Sequence, residues 1–358
     1  MSIVLHVDGP RWRAHLDRTL ATQTGLVPVV KGNGYGFGSG LLTAESERLA
    51  GHAGVDLLAV GTYREATAAL AGFSADVLVL EPYRPSLHGG LAVLAEPALV
   101  HTVTASADVH DLHTRVPNAR VVAEGLTSMN RHGAHVDDYA DLLAAAGAGL
   151  LGGTLHLPLG SGHLTEVSEW LTQFPAIGTW LLSHVSSAEL GRLRTAYPGV
   201  TLRPRVGTAL WLGEPTALTV RADVLDVRPV ASGNRAGYRG RSMGAGHLVV
   251  VSGGTAHGVA MDSPSSVATL RQRAIVLAEG ALEAAGRVRS PFSLRHSGGD
   301  PDAAAPLWFV EPPHMQVSLV HVPRGTAPPA IGDQLDVRVR LTTFWADDVV
   351  LSSPDSRH

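Results

Sequence analysis

Between residues 26 and 205, short apolar runs alternate with amphipathic segments, and that rhythm restricts the fold more than any other feature. The runs lie at 26–31, 57–61, 76–80, 99–104, 120–125, 150–157, 179–185 and 201–205, and several are rich in Val and Leu. Runs this short, apolar at successive positions, read as strands buried on both faces, which is how parallel strands are built. The segments between them, among them 10–22, 63–70, 136–146, 165–174 and 187–197, carry helical spacing. Ser187-Ala188-Glu189 sets a capping residue and an acid at the start of the last of these, where the free backbone N–H groups and the positive end of the helix dipole favour them. Eight strands, each followed by a helix, predict an α/β protein with a (β/α)8 TIM barrel. A doubly wound open sheet is the alternative. The spacing of a dinucleotide site is missing, however, since Gly32-Asn33-Gly34-Tyr35-Gly36-Phe37-Gly38 has a glycine at every second position.

After residue 221 the rhythm changes. Runs at 224–230, 247–252, 307–310, 316–322 and 335–341 are β-rich and separated by Gly, Pro and Ser clusters. Helical spacing is found at 274–285, loop composition at 290–306 and a frayed tail at 352–358. The expected organisation is a barrel over 1–221 and a mainly β C-terminal domain over 222–358. With 45% hydrophobic and 17% charged residues, the chain has the apolar content for a sizeable core. It has no cysteine, which excludes a disulfide scaffold, a thiolate metal site and a thiol nucleophile. A net charge of −4 gives no electrostatic reason to bind nucleic acid or an anionic membrane. No apolar run reaches the length of about 18 residues that spans a bilayer. The 18 histidines show no H-E-x-x-H or similar ligand spacing, so no metal site is expected. The opening Met1-Ser2-Ile3-Val4-Leu5-His6-Val7-Asp8 is too short an apolar stretch, and lacks the basic residues, for a signal peptide. A cytoplasmic location is the expectation.

One count carries chemistry. Of the 28 basic residues, Lys31 is the only lysine. Arginine stays protonated in proteins, whereas lysine can act as a neutral amine nucleophile or base. The working face of a β/α barrel lies at the C-terminal ends of its strands, and Lys31 ends the first predicted strand. Glu124 is at the end of the fifth, with Arg131 just beyond. His156 is near the end of the sixth, Ser186 and Ser187 follow the seventh, and Arg205 ends the eighth and runs into Val206-Gly207-Thr208. Gly207 and Thr208 match the usual phosphate position of barrel enzymes, where backbone N–H groups meet an anion. The glycines after Lys31 let the backbone wrap closely around a ligand, with Tyr35 among them. An amine beside a phosphate site points to pyridoxal phosphate held as a Schiff base. Taken singly, each residue also has an ordinary reading: His156 as a core histidine, Arg131 and Arg205 as surface charges, Tyr238 as a structural tyrosine in a Gly-rich turn.

The stretch Val29-Val30-Lys31-Gly32-Asn33-Gly34-Tyr35-Gly36-Phe37-Gly38 resembles the V-V-K-A-N-A-Y-G-H-G signature of the alanine racemase family of barrel-type (fold type III) pyridoxal-phosphate enzymes. Met129-Asn130-Arg131-His132-Gly133 is similar to the family's M-N-R-x-G, and Arg205-Val206-Gly207-Thr208-Ala209-Leu210-Trp211 to its R-P-G-I-A-L-Y-G. Gly237-Tyr238-Arg239 resembles the second-domain G-Y-G, and Met315 falls at the M of the M-D pair. The resemblance implies an amino-acid racemase, in the first instance one interconverting L- and D-alanine. It implies pyridoxal 5'-phosphate as cofactor and a head-to-tail homodimer in which each second domain supplies Tyr238 to its neighbour's barrel. Lys31 would bond the cofactor and act as one acid/base, with Tyr238 as the other. Two bases on opposite faces are what stereoinversion needs, one removing the α-proton and the other returning it. Arg205 would face the pyridine nitrogen and, being only a donor, keep it unprotonated. His156 would pack on the ring, while Tyr35, Ser187, Gly207 and Thr208 would hold the phosphate. Arg131 would contact the cofactor phenolate or the substrate carboxylate, with Met315 beside the substrate. Where many relatives have a carbamate-modified lysine, this chain has Glu124, a carboxylate expected to orient Arg131 through a charge-assisted pair.

The chain departs from the family pattern at Gly254, where G-Y-A-D-G has its tyrosine, at Gln316, where M-D has its aspartate, and at Ser186, where an N-S pair has its asparagine. The family's later segment with a phosphate-binding tyrosine has no counterpart after Phe344-Trp345-Ala346-Asp347. These positions touch the substrate entrance and the phosphate. Two alternatives therefore stay open. One is another fold type III enzyme, such as a broad-specificity racemase or a D-amino-acid aldolase or dehydratase, of which the aldolase needs a metal cluster. The other is a degenerate paralogue that binds the cofactor without turnover.

Overall fold

The computed structural model describes residues 2–261, 288–294 and 307–353. The chain opens with strand β1 (Ile3–Val7). The next eight strands are β2 (Val27–Val30), β3 (Leu57–Val60), β4 (Asp76–Pro82), β5 (Leu99–Val103), β6 (Arg120–Gly125), β7 (Leu150–His156), β8 (Thr179–Ser183) and β9 (Thr201–Val206). They are parallel and form a closed barrel, sealed where β2 pairs with β9 through Val27↔Arg205 and Pro28↔Val206. All eight coincide with the predicted runs. Strands β2, β3 and β5 are buried at every residue. Val27 and Val29, Leu57 and Ala59, Leu78, Val100, Val122 and Leu181 pack into one core cluster, with the spacing of two that places side chains on one face of a strand.

A helix follows each barrel strand: Ser39–Ala53, Tyr63–Gly72, Pro85–His88, Ser106–Arg115, Val136–Ala146, Leu164–Gln173, Ser187–Ala196 and Thr208–Trp211. Ser39–Ala53, Pro85–His88, Ser106–Arg115 and Thr208–Trp211 are not among the segments named from the sequence. The first of these buries Thr43, Glu45 and Ser46 alongside Leu42 and Leu49, so its inward face is half polar and its apolar period faint. Glu45 is tolerated there because Arg13 and Arg48 both pair with it. The cap of Ser187–Ala196 lies one residue earlier than expected. Ser186 is the N-cap, its hydroxyl accepting from Glu189 N, and Ser187 is the first helical residue.

By its contacts the chain divides into two units, one of Arg13–Gly34 with Gly38–Gly213, the other of Met1–Trp12, Tyr35–Phe37 and Glu214–His358. Residues 1–12 and 214–221 thus fall with the β-rich unit rather than with the barrel, as a division at 221/222 would have it. Backbone hydrogen bonding is the reason. β1 pairs antiparallel with β10 (Leu218–Val230) and parallel with Asp348–Leu351. β10 continues against Gly246–Ser252 and Gln334–Val337, and Gly246–Ser252 pairs in turn with Val317–Pro323. The run expected at 335–341 is the shorter strand Gln334–Val337, and that at 307–310 is Trp308–Phe309. The helix expected at 274–285, residues 295–306 of the expected loop and 354–358 of the tail lie outside the described residues. Among those described, no helix is long and apolar enough to cross a membrane.

Leu181 is 2% exposed in the barrel cluster, so Leu181→Ala removes interior atoms that the closed sheet cannot readily replace. The expected loss is about 2–5 kcal/mol of unfolding free energy, read from the denaturant midpoint. A loss well under about 1 kcal/mol would show that the interior collapses around the gap.

Candidate active site

Strand β2 ends at Val30, so Lys31 is the first residue past the rim. The chain then turns sharply: Gly34 N donates to Lys31 O at 3.1 Å, with Gly32 and Gly34 at φ +61° and +59°. A Cβ on Gly34 would stand 2.6 Å from Ser39 N, so the turn needs glycine at that point. The loop is anchored by a residue the sequence reading passed over. Glu65 Oε1 accepts from Gly32 N at 2.6 Å, and its Oε2 accepts from Thr62 N at 2.9 Å. Thr62 and Glu65 form the capping box of helix Tyr63–Gly72. The pattern Thr62-x-x-Glu65 was the available signal.

Arg131 is presented by a second clamped loop. Ala134 N donates to Glu124 O at 2.8 Å and Leu126 N to Ala134 O at 2.9 Å, folding residues 126–134 back on the end of β6. Gly133 is at φ +130°, and a Cβ there would lie 2.3 Å from Leu126 N. Asn130 adopts φ +52°, and Thr127 Oγ1 donates to His156 O at 2.6 Å, tying the loop to the end of β7. The M-N-R-x-G pattern is therefore a backbone requirement as well as a source of charge.

Lys31, Glu124, Arg131, His156 and Arg205 all line one cavity of about 480 Å³, together with Glu81, Arg84 and His132. That volume lies in the range of small-molecule sites. A larger cleft of about 1040 Å³ shares Thr62, Glu81, Leu87 and His88 with it, but Lys31 is not in its wall. The charge in the smaller cavity is mostly positive. Lys31 is reached by solvent, yet the surrounding protein withdraws enough water to lower its pKa, and the positive charges of Arg131 and then Arg205 lower it further against Glu65. Burial, then Arg205 and Arg131, pushes His156 down to about 3. His184, whose ring meets that of His156 edge-on at 5.1 Å, is lowered by burial and by Lys31. Burial also lowers Arg205, with Glu124 opposing.

Arg205 Nη2 donates to Leu155 O at 3.2 Å, while its buried Nε has no partner. Glu124 is 4% exposed and its Oε2 has no partner either. Burial raises its pKa against the fields of Arg205, Arg131 and Arg84. The direct Glu124–Arg131 pair expected from the sequence is not made. Arg131 is exposed on its loop and acts on Glu124 through its field alone.

The other expected ligands are placed differently. Ser187 opens the helix after β8 and is exposed. Beside it, the Glu189 carboxylate accepts from Ser186 Oγ at 2.6 Å, Ser186 N at 3.0 Å, Gly162 N at 2.9 Å and His163 N at 3.0 Å, and these bonds hold its pKa down at about 2. Gly207 and Thr208 begin the short helix after β9. Tyr35, buried at φ +54°, is grouped with the β-rich unit. Tyr238 and Met315 also belong to that unit and are 88% and 71% exposed.

A family model for the alanine racemase N-terminal domain matches residues 11–189. Among solved structures, the chain is similar to an alanine racemase from Bartonella henselae with covalently bound pyridoxal phosphate, at 17% identity over 98% of this chain and 100% of that one, with a TM-score of 0.70. It is similar to the alanine racemase of D-cycloserine-producing Streptomyces lavendulae at 17% identity, 99% and 97% coverage and TM-score 0.67. The biosynthetic alanine racemase of Pseudomonas aeruginosa gives 18% identity, 98% and 99% coverage and TM-score 0.65. No curated protein matches the chain. At these identities the structural likeness is one of fold.

Two measurements follow from the electrostatics. Arg131 is the strongest charge acting on Lys31, so Arg131→Gln is expected to raise the pH at which the amine is half-modified by an amine reagent. Peptide mapping separates Lys31 from the α-amine; an unmoved midpoint would mean that the guanidinium is not felt. His156 takes up its proton near 6.5 when unfolded and at about 3 when folded. The unfolded chain therefore binds more protons across that interval, and stability falls as pH drops through it. In His156→Gln that acid slope should flatten, seen in melting temperature against pH.

Proposed function

The chain belongs to the alanine racemase family, and from that membership we propose that it is a pyridoxal-phosphate-dependent amino-acid racemase of the cytoplasm, acting on alanine in the first instance. The setting of Lys31 carries the reading. It is the only lysine, the first residue past a barrel strand, and an amine of lowered basicity in a cavity of about 480 Å³. The neighbouring groups fit the cofactor. Arg205 lines the same cavity with an unsatisfied Nε–H, a donor available to a pyridine nitrogen. When bound, pyridoxal phosphate supplies an aldehyde for a primary amine and a conjugated ring that acidifies the α-proton of an amino acid.

The chain's own residues then divide the work. Lys31 bonds the cofactor and holds or moves a proton at the substrate Cα on one face. Its lowered pKa leaves more of it neutral near pH 7. Tyr238 of a second copy moves the proton on the opposite face, which makes a homodimer part of this reading. Arg205, which has no acceptor, would donate to the ring nitrogen and leave it unprotonated, a setting that would favour return of the proton over transamination. His156, kept neutral by burial and by its cationic neighbours, packs on the ring. Arg131 meets the phenolate or the substrate carboxylate, and Met315 borders the substrate. Ser187, Gly207 and Thr208 hold the phosphate. Glu124 offsets the positive charge of Arg205, Arg131 and Arg84.

Purified protein given pyridoxal phosphate should develop a visible absorption band, and borohydride should then fix a pyridoxyl group on the Lys31 peptide and on no other. Lys31→Arg should show neither. Single L- and D-amino acids should lose optical purity with the loaded protein. Absence of the band and the label would overturn the cofactor assignment; a band and label without loss of optical purity would overturn the racemase assignment alone.

A further inference from the structure

In the β-rich unit one polar cluster lies beside the tyrosine assigned above as the second base. Glu311 is 4% exposed, and its carboxylate accepts from Tyr238 N at 2.8 Å and from Arg239 N at 3.1 Å. His314 Nε2 lies 2.5 Å from Glu311 Oε1. A carboxylate only accepts, so Nε2 carries the proton in that bond. The His314 ring lies 4.4 Å from the Tyr238 ring, tilted by 35°. Although burial alone would raise the Glu311 pKa, these hydrogen bonds lower it, which keeps the carboxylate ionised.

Two glycines make the arrangement possible. Gly237, at φ +79°, places its α-carbon so close to Glu311 that a Cβ would lie 2.1 Å from Cδ. Gly254 is the position at which the family motif has tyrosine. A Cβ there would lie 2.0 Å from His314 O. Thr255 N and Ala256 N then bond His314 O and Met315 O at 2.8 and 3.0 Å. The departure at Gly254 is thus the steric condition for seating the segment that carries His314.

From this geometry we infer that Glu311 and His314 are positioning residues for Tyr238, a carboxylate–imidazole pair that seats the tyrosine's turn and stacks its phenol for proton transfer. The inference rests on the reading of Tyr238 as second base. An exposed tyrosine on a Gly-rich turn would otherwise sample several rotamers. Here the backbone N–H groups of the turn and the face of the ring are held by one buried carboxylate, directly and through the imidazole. This follows the general logic in which a third group orients a base.

The test uses the loaded enzyme in deuterium oxide, with each enantiomer assayed separately for α-proton exchange. Tyr238→Phe should slow exchange from one enantiomer far more than from the other, because Lys31 still serves the opposite face. His314→Ala and Glu311→Gln should slow exchange from that same enantiomer about tenfold or more, which would correspond to about 1.4 kcal/mol, and leave the other within about twofold. His314→Gln, whose amide can still donate to Glu311, provides a variant of more conservative shape should the alanine fail to fold. A second readout needs no turnover. With fluorotyrosine at the six tyrosines, the Tyr238 resonance, identified by its loss in Tyr238→Phe, should shift in His314→Ala in the unloaded protein. A one-sided effect in Tyr238→Phe with a symmetric or absent effect in both His314 and Glu311 variants would overturn this inference and leave the two-base reading standing. An unmoved Tyr238 resonance would likewise overturn it. No asymmetry in Tyr238→Phe would overturn the two-base reading, and this inference with it.

Discussion

Closure of the barrel is the constraint from which the site follows. Parallel strands cannot leave their edges unpaired in the interior, and the first and last barrel strands meet through Val27↔Arg205 and Pro28↔Val206. That contact brings the end of β2, with Lys31 just beyond it, beside the end of β9, which carries Arg205. Trp211 Nε1 donates to Val29 O at 2.8 Å across the same seam, so the helix after β9 is fastened to the strand that carries the lysine. An open sheet of the same eight strands would leave β2 and β9 unpaired with each other. The amine and the buried guanidinium would then have no reason to share a cavity.

Bringing Lys31, Arg131, Arg205, His156 and His184 together concentrates positive charge in a place where burial already disfavours it. Both effects act in one direction, and Lys31, His156, His184 and Arg205 are all displaced toward their neutral forms. Glu65 and Glu124 oppose this in different ways. Glu65 bonds the backbone next to Lys31 and fixes the loop. Glu124 has an unpartnered oxygen and acts only through its field. Such a site is expensive to fold, and the surrounding rigid elements carry that cost: clamped loops at Gly34 and Gly133, a capping box at Thr62 and a closed ring of strands. The same concentration of positive charge suits an anionic cofactor and a substrate carboxylate, and a neutral amine is the form a Schiff-base lysine needs.

The parts of the molecule that were legible in the sequence share one property: local pattern and tertiary role agree. Barrel strands such as β2, β3 and β5 are short, largely apolar runs because both faces are covered, and Lys31 stood out because no other lysine competed for attention. Ser39–Ala53 was not legible, because it buries Glu45 against arginines from two helices and so carries polar residues on its inner face. β1 is a five-residue run whose partners are β10 and Asp348–Leu351; nothing local to it reveals pairing across such distances. Glu124 had the expected position but not the expected partner, since the loop that clamps on its carbonyl carries Arg131 outward.

The sequence by itself determined the number of barrel strands, the rim on which polar residues end those strands, and the family, because these depend on short-range periodicity and on motifs within a few residues. The tertiary structure decided which polar groups meet. It set Glu65 on the lysine loop, left Glu124 and Arg205 each with a buried atom unpaired, paired β1 with strands of the C-terminal region, and set His314 and Glu311 beside Tyr238. Those outcomes depend on hydrogen bonds and close backbone approaches between segments far apart in the chain. Such contacts leave no period in the sequence, only isolated glycines such as Gly237 and Gly254 whose meaning is steric and appears once the neighbouring backbone is in place.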